Sequence, residues 1–218
     1  MKCWGKFMKR VAYGIIMLLS VMLFSGCGNS NYAKAEDIKI TPAYWTTEGD
    51  FLGIGYTDTE GGVLLSNTSS NHAKVEVKAA FYDKDNNYVD EDSKSLTLKA
   101  NEKWFLFFDI DDEVTDVKYS IETDAPFWEP ALASDIELGY EDGKVIVINK
   151  SDKDTEACGF QYVFYDNAGN ILYVDGGTVN DGYIPAGERV AEEYSLEYPA
   201  YLKDYEDFEV CIYCLFAK

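Results

Sequence analysis

The stretch Phe81-Tyr82-Asp83-Lys84-Asp85-Asn86-Asn87 is answered 83 positions later by Phe164-Tyr165-Asp166-Asn167-Ala168-Gly169-Asn170. A duplication constrains a chain severely, because both copies must satisfy one fold. The likeness extends on either side, with "GGVLLSNTSSNHAKVEVKAAFYDKDNNYV" set against "GKVIVINKSDKDTEACGFQYVFYDNAGNIL". Asn67 and Asn149 lie 82 apart, so one residue is inserted before the Phe-Tyr-Asp triplet. "LKANE" from Leu98 then answers "IPAGE" from Ile184, and "DVKYSI" from Asp116 answers "DFEVCI" from Asp207. Such slowly growing offsets mean that loops lengthened while the order of elements was kept. Two copies are too few for a solenoid, in which stacked neighbours share one core. Each copy, at about 75–85 residues, suits a small domain of its own.

Within each copy the apolar period is two. Val75, Val77, Ala79 and Phe81 alternate with Glu76, Lys78, Ala80 and Tyr82, which is the pattern of a strand with one buried and one wet face. Cys158, Phe160, Tyr162 and Phe164 form the matching inner set of the second copy. "VLLSN" and "KVIVIN" each end at an asparagine followed by a polar turn. No helical stripe of useful length follows residue 27. Short strands separated by turn clusters predict an all-β chain of two tandem β-sandwiches. With 47% hydrophobic and 15% aromatic residues, the composition can fill two cores. The expected divisions are a leader over 1–26, a tether over 27–36, a first sandwich over 37–123, a linker over 124–133 and a second sandwich over 134–218. The linker is assigned from "ETDAPFWEPALAS", whose two prolines break the alternation.

The strand pair carrying Phe164-Tyr165-Asp166 and Gly169, followed by Pro185-Ala186-Gly187-Glu188, resembles the FxLYD-type immunoglobulin-like modules of bacterial cell-envelope lipoproteins. The first copy departs from that pattern, with Asn86 in place of the turn glycine and Lys99-Ala100-Asn101-Glu102 in place of the second loop. The resemblance covers roughly residues 51–217 and implies an immunoglobulin-like sandwich without catalytic residues. The repeated Asp is then a turn residue, whose carboxylate accepts backbone N–H groups. The Asn or Gly three positions later tolerates positive φ.

Residues 1–27 have the layout of a secretory signal, with Lys2, Lys6, Lys9 and Arg10 ahead of an apolar run from Val11 to Phe24. The run is shorter than the roughly 20 residues of a spanning helix. Ser25-Gly26-Cys27 resembles a lipobox, which implies cleavage before Cys27 and acylation of its thiol and new amino group. Phe24 departs from the usual Leu, which here stands one place earlier at Leu23. The expected location is therefore the outer face of a bacterial cell membrane, with the lipid as anchor. The excess of Lys over Arg and the many Asn and Tyr point to a Gram-positive source.

The net charge is −20, and removal of the leader leaves 15 basic against 39 acidic residues. That field repels nucleic acid and anionic lipid headgroups. Arg10 and Arg189 are the only arginines, so bidentate phosphate recognition has little support. Asp83, Asp85 and Asn87 have the opening spacing of a calcium loop, and Asp90 and Asp92 could join them. Tyr88, however, stands where such a loop needs Gly, and Lys94 stands where it needs the closing Glu. A solvated acidic loop competes with that reading.

Cys158 and Cys214 both face inward, which leaves a disulfide and a pair of buried thiols open, with Cys211 on the opposite face. His72 is the sole histidine, so no second imidazole exists for a His-based metal cluster, and no nucleophile elbow or serine–base motif is visible. Trp45 and Trp128 could form a platform for sugar rings, or else close a sandwich end. No cofactor is expected. The sequence thus predicts a non-enzymatic binding or spacer module, with an envelope protein as first partner. Binding or hydrolysis of a cell-wall or host glycan, or calcium-dependent adhesion, is the alternative.

Overall fold

The computed structural model describes residues 31–51, 54–111, 113–127, 130–131, 135–141, 144–193 and 207–216. Six strands make the first module: β1 (Ile38–Phe51), β2 (Ile54–Asn67), β3 (Ala73–Tyr82), β4 (Tyr88–Leu98), β5 (Lys103–Asp109) and β6 (Asp116–Asp124). Six more make the second: β7 (Ile136–Glu141), β8 (Lys144–Asn149), β9 (Thr155–Tyr165), β10 (Ile171–Thr178), β11 (Arg189–Glu193) and β12 (Asp207–Phe216). All pairings are antiparallel. The sheets are β1-β2-β5 and β4-β3-β6 in the first module, and β7-β8-β11 and β10-β9-β12 in the second. Both modules therefore share one connectivity. It corresponds to strands A-B-E facing C′-C-F of an immunoglobulin-type sandwich, with no seventh strand among the described elements.

The alternation of β3 becomes its burial. Ala73, Val75, Val77, Ala79 and Phe81 are buried, while Lys74, Glu76 and Lys78 point outward. They meet Val63, Leu65, Leu106 and Phe108 to form the first core. Phe160, Tyr162 and Phe164 meet Val145, Val147 and Ile184 in the second. Each core is locked at one end by the repeated asparagine. Asn67 Nδ2 donates to the carbonyls of Asn71 and Lys99, and its Oδ1 accepts from Ser69 N–H. Asn149 makes the same set with Lys153, Ile184 and Ser151. An amide that satisfies the turn and the facing loop together is well suited to such a buried corner.

The boundaries differ from expectation at both connectors. Ala33, expected in the tether, is wholly buried in the first core, and its N–H donates to His72 O at 3.0 Å. Ala131, expected in the linker, is wholly buried in the second core and donates to Cys214 O at 3.0 Å. "AKAEDI" from Ala33 and "ALASDI" from Ala131 show that the duplication starts before each first strand. Small residues read as connector because they lack bulk, yet alanine fills a narrow gap at little entropic cost. Asp37 O and Asp135 O confirm the equivalence, since they accept from Thr68 N–H and Lys150 N–H respectively.

Residues 1–30, with the expected leader and Cys27, lie outside the described residues, as do Trp128 and residues 194–206. Among the described residues no helix is long and apolar enough to cross a membrane.

Candidate functional site

The two modules do not hang as separate beads. A third core lies between them, made by Ala43, Trp45, Leu64 and Phe105 of the first and Val163, Val174 and Cys211 of the second. The outer face of β1-β2-β5 thus packs on the outer face of β10-β9-β12, and four sheets form one stack. Strand β9 explains how. At the positions where β3 carries Glu76, Lys78 and Ala80, β9 carries Gly159, Gln161 and Val163, all buried. Strand β5 does the same with Phe105 outward and Leu106 and Phe108 inward.

Polar groups fix the register of this junction. Gln161 Oε1 accepts from Phe105 N–H at 2.8 Å, and its Nε2 donates to Phe105 O at 2.9 Å. A single side-chain amide therefore pairs with the backbone of the other module as a strand would. Glu209 accepts from Lys103 Nζ at 2.7 Å and from the Tyr165 hydroxyl at 3.1 Å. Trp104 packs on Tyr213 with ring centroids 5.3 Å apart. Burial and the nearby Glu209 carboxylate hold the Tyr165 hydroxyl neutral well above the ordinary tyrosine range.

Cys211 sits in the junction as a free, buried thiol, and burial pushes its pKa up to about 12. Burial likewise pushes Tyr44, bonded through its hydroxyl to Tyr119 at 2.7 Å, to about 12. The unfolded chain releases these protons near the ordinary thiol and phenol values of 9 and 10, the folded chain only near 12. The stability these two groups contribute is therefore fully present below about pH 9 and is lost as the pH rises between about 9 and 12. Circular dichroism through a base titration should show unfolding in that window. Cys211→Ser should move its onset upward, and a thiol reagent at pH 8 should label the wild-type residue only slowly.

Of the two readings of Trp45, open platform or closure of a sandwich end, the structure follows the second. The side chain is 7% exposed, with Phe105, Phe107 and Tyr173 around it at centroid distances of 5.7, 6.1 and 5.5 Å. Its Nε1 donates to Glu60 Oε2 at 3.0 Å. The ring closes a module end and an interface at once.

The calcium reading also fails on geometry. Asp83 Oδ1 accepts from the N–H groups of Asp85 and Asn87, and Oδ2 accepts from Asn87 Nδ2. Asp166 makes the same three bonds with Ala168 and Asn170. The side-chain amide of Asn87 is the main cause of a lowered Asp83 pKa, and that of Asn170 does the same for Asp166. Asp90 and Asp92 cap the next backbone N–H of their own strand, and Asp92 pairs with Lys94 at 3.3 Å. Asp85 joins none of them in a shell: among the described residues no three acidic, histidine or cysteine side chains gather to hold a metal ion. The departures of the first copy from the motif have one cause, since Asn86 and Asn101 adopt the positive φ of Gly169 and Gly187.

Cys158 and Cys214 are joined by a disulfide between directly paired residues of β9 and β12. The bridge lies within one sheet rather than between the two sheets. In the first module the equivalent pair is Val75 and Thr123.

Beside the junction opens a cleft of about 470 Å³, lined by Glu60, Trp104 and Phe107 on one side and Tyr173, Asp175 and Gly177 on the other. A second hollow of about 490 Å³ adjoins it across Glu60 and Phe107 and adds Asp109 and Asp111. Sequence reading found neither the cleft nor the junction that makes it. The legible cue was the unbroken apolar run Trp104–Phe108, which a strand wetted on one face would not carry.

Fold and junction together define a tandem immunoglobulin-like sandwich whose modules are fused face to face. No protein-family model matches the chain. No curated protein is a detectable relative. Among solved structures, the N-terminal CBM22-1–CBM22-2 tandem domain of Paenibacillus barcinonensis Xyn10C aligns over 86% of this chain and 88% of its own, at 8% identity and a TM-score of 0.16. The fold assignment rests on strand order and register.

Proposed function

We propose that this chain is a lipid-anchored bacterial surface protein that acts as a non-enzymatic binding or spacer module for a protein partner. The observation that carries the reading is the third core. Independent sandwiches would swivel on their linker, whereas modules sharing Phe105, Val163 and the Gln161 bonds present one fixed surface. A rigid body beyond a lipidated Cys27 would hold that surface at a set distance from the membrane. The disulfide supports an oxidising location outside the cytosol. The glycan reading is weakened because Trp45 is enclosed, and the adhesion reading because the Asp83 oxygens are already engaged.

The test is cellular. Cys27→Ser should abolish incorporation of a labelled fatty acid and move the protein from the membrane pellet to the soluble fraction. Retention of Cys27→Ser in the pellet would remove the anchor from the proposal. Crosslinking of the wild-type protein on intact cells should recover a defined envelope protein.

A further inference from the structure

The sheet β4-β3-β6 ends at β6, where an immunoglobulin-type sandwich would place one more strand. Every second residue of such an edge strand turns its N–H and C=O outward. The core beneath is open there as well. Val117, Tyr119 and Ile121 face inward but stay partly exposed, while their partners Phe81, Ala79 and Val77 on β3 are buried.

The second module shows what a chain laid on this edge does. Pro130 forms an antiparallel bridge with Leu215 of β12, and Ala131 N–H donates to Cys214 O. Beneath that cover Cys214, Leu215 and Phe216 are buried, whereas Val210 and Ile212, farther along the strand, stay partly exposed. In the first module the equivalent Ala33 N–H goes to His72 O instead. Thr123, the counterpart of Cys214, stays partly exposed. No described segment pairs with the free edge of β6.

The sequence of β6 says what fits that edge. A two-fold axis through Ser120 sets the strand antiparallel to β6 of a second copy. The residues it pairs are of equal parity, so backbone groups pointing out of one copy meet those pointing out of the other. On the wet face Lys118 then opposes Glu122 twice, and on the core side Tyr119 opposes Ile121 twice. Glu122 is 74% exposed, with only a 3.7 Å pair to Lys78. Lys118 Nζ lies 3.8 Å over the Tyr82 ring and 3.4 Å from Asn86 Oδ1, both of them neutral groups. Asp116 meets Asp124 at the two ends, which confines the pairing to residues 117–123. On the adjacent strand Lys74 and Lys78 offset Glu76, so copies of a chain with net charge −20 approach here through a nearly balanced patch. Strand β12 carries Asp207 and Glu209 and no basic residue, so its edge lacks this complementarity.

We infer that the open edge of β6 is an interface at which two copies of this chain pair, forming one continuous sheet β4-β3-β6-β6-β3-β4. Each copy supplies the strand that the other lacks, and Tyr119 and Ile121 of both close the two cores. Opposite-charge pairs and aromatic–β-branched pairs across strands are the contacts that stabilise such a seam. The contact is isologous and therefore ends at two copies. The inference goes beyond the anchored binding module and does not depend on it.

The test is sedimentation of the chain from residue 28 onward, which holds every described element, across a wide range of concentration. The mass should rise from one chain to two with a dissociation constant on the order of 10–100 μM. Lys118→Glu and Glu122→Lys should each weaken pairing more than about tenfold, and their combination should restore it to within about threefold. Glu91→Lys makes the same charge reversal at the far edge of the sheet and should leave pairing unchanged. Bulk repulsion alone would instead have both Glu variants strengthen it. Ser120→Cys should give a covalent dimer under mild oxidation, and Lys78→Cys, opposite it on β3, should not. Circular dichroism checks that each variant is folded. A wild type that stays monomeric to about 1 mM would overturn the assignment. So would equal weakening by Glu91→Lys, no rescue by the double swap, or no covalent dimer of Ser120→Cys. None of those results would touch the Cys27-dependent anchoring or the recovery of an envelope partner, so the two proposals fail separately.

Discussion

Gln161→Ala is expected to lower the melting midpoint by roughly 5–15 °C, whereas Lys78→Ala, at the equivalent position of the first copy, should move it by about a degree. Both residues sit at the centre of the third strand of their module and face away from its core. Lys78 meets water and a loose ion pair with Glu122 at 3.7 Å, with about half its side chain exposed. Surface pairs of that kind contribute about 0–1 kcal/mol. Gln161 instead satisfies both backbone groups of Phe105, which is 1% exposed. Its removal leaves a buried N–H and a buried C=O without partners, at about 1–3 kcal/mol each. Calorimetry and small-angle scattering would check the result together. The wild type should melt in one transition, and the variant should show a larger radius or a split transition as the modules part. Equal behaviour of the two variants would mean that the modules are held together by something other than this junction.

That contrast also marks what the sequence disclosed. The inner faces were legible, because a period of two with bulky residues leaves no other arrangement for Val75, Val77 and Phe81 or for Phe160, Tyr162 and Phe164. The turns were legible too, since Asp followed three residues later by Asn or Gly is a local signal that needs no partner. What escaped was long-range. Nothing in "FQYVFYD" taken alone separates a strand buried on both faces from one with an apolar residue exposed by chance. Only the column of replacements between copies does so, with Glu76, Lys78 and Ala80 giving way to Gly159, Gln161 and Val163. Trp45 stayed open between platform and closure for the same reason: an aromatic near a strand end fits either until the second module covers it.

The duplication has thus been used asymmetrically. The outer face of β3 stays charged and wet, while that of β9 has become a docking face for the other copy. Conversely, β5 carries Phe105 and Phe107 where β11 carries Ala191 and Glu193. Had both copies kept both apolar faces, the same contact could repeat between molecules as an open head-to-tail stack. One apolar pair, used internally, ends the stack at two modules. The cleft lies beside this asymmetric junction, where Gly176 and Gly177 of β10 face Trp104 and Phe107 of the first module.

Replacing Cys158 by Val together with Cys214 by Thr, the residues the first module carries at those places, should cost about 4 kcal/mol and roughly 8–16 °C of melting midpoint. The estimate comes from the 56-residue separation of the bridged cysteines, which fixes how much freedom the cross-link removes from the unfolded chain. Choosing Val and Thr isolates that effect, since the first core shows that this pair packs between a third and a last strand without a bridge. Reduction of the wild type should reproduce the loss, and reduction of the double variant should change nothing. Mass measurement after alkylation of the unfolded chain from residue 28 onward should find one labelled thiol, Cys211, before reduction and three after it. Three labels without reductant would mean that the second module, like the first, stands on packing alone, and the argument for an oxidising location would go with the bridge.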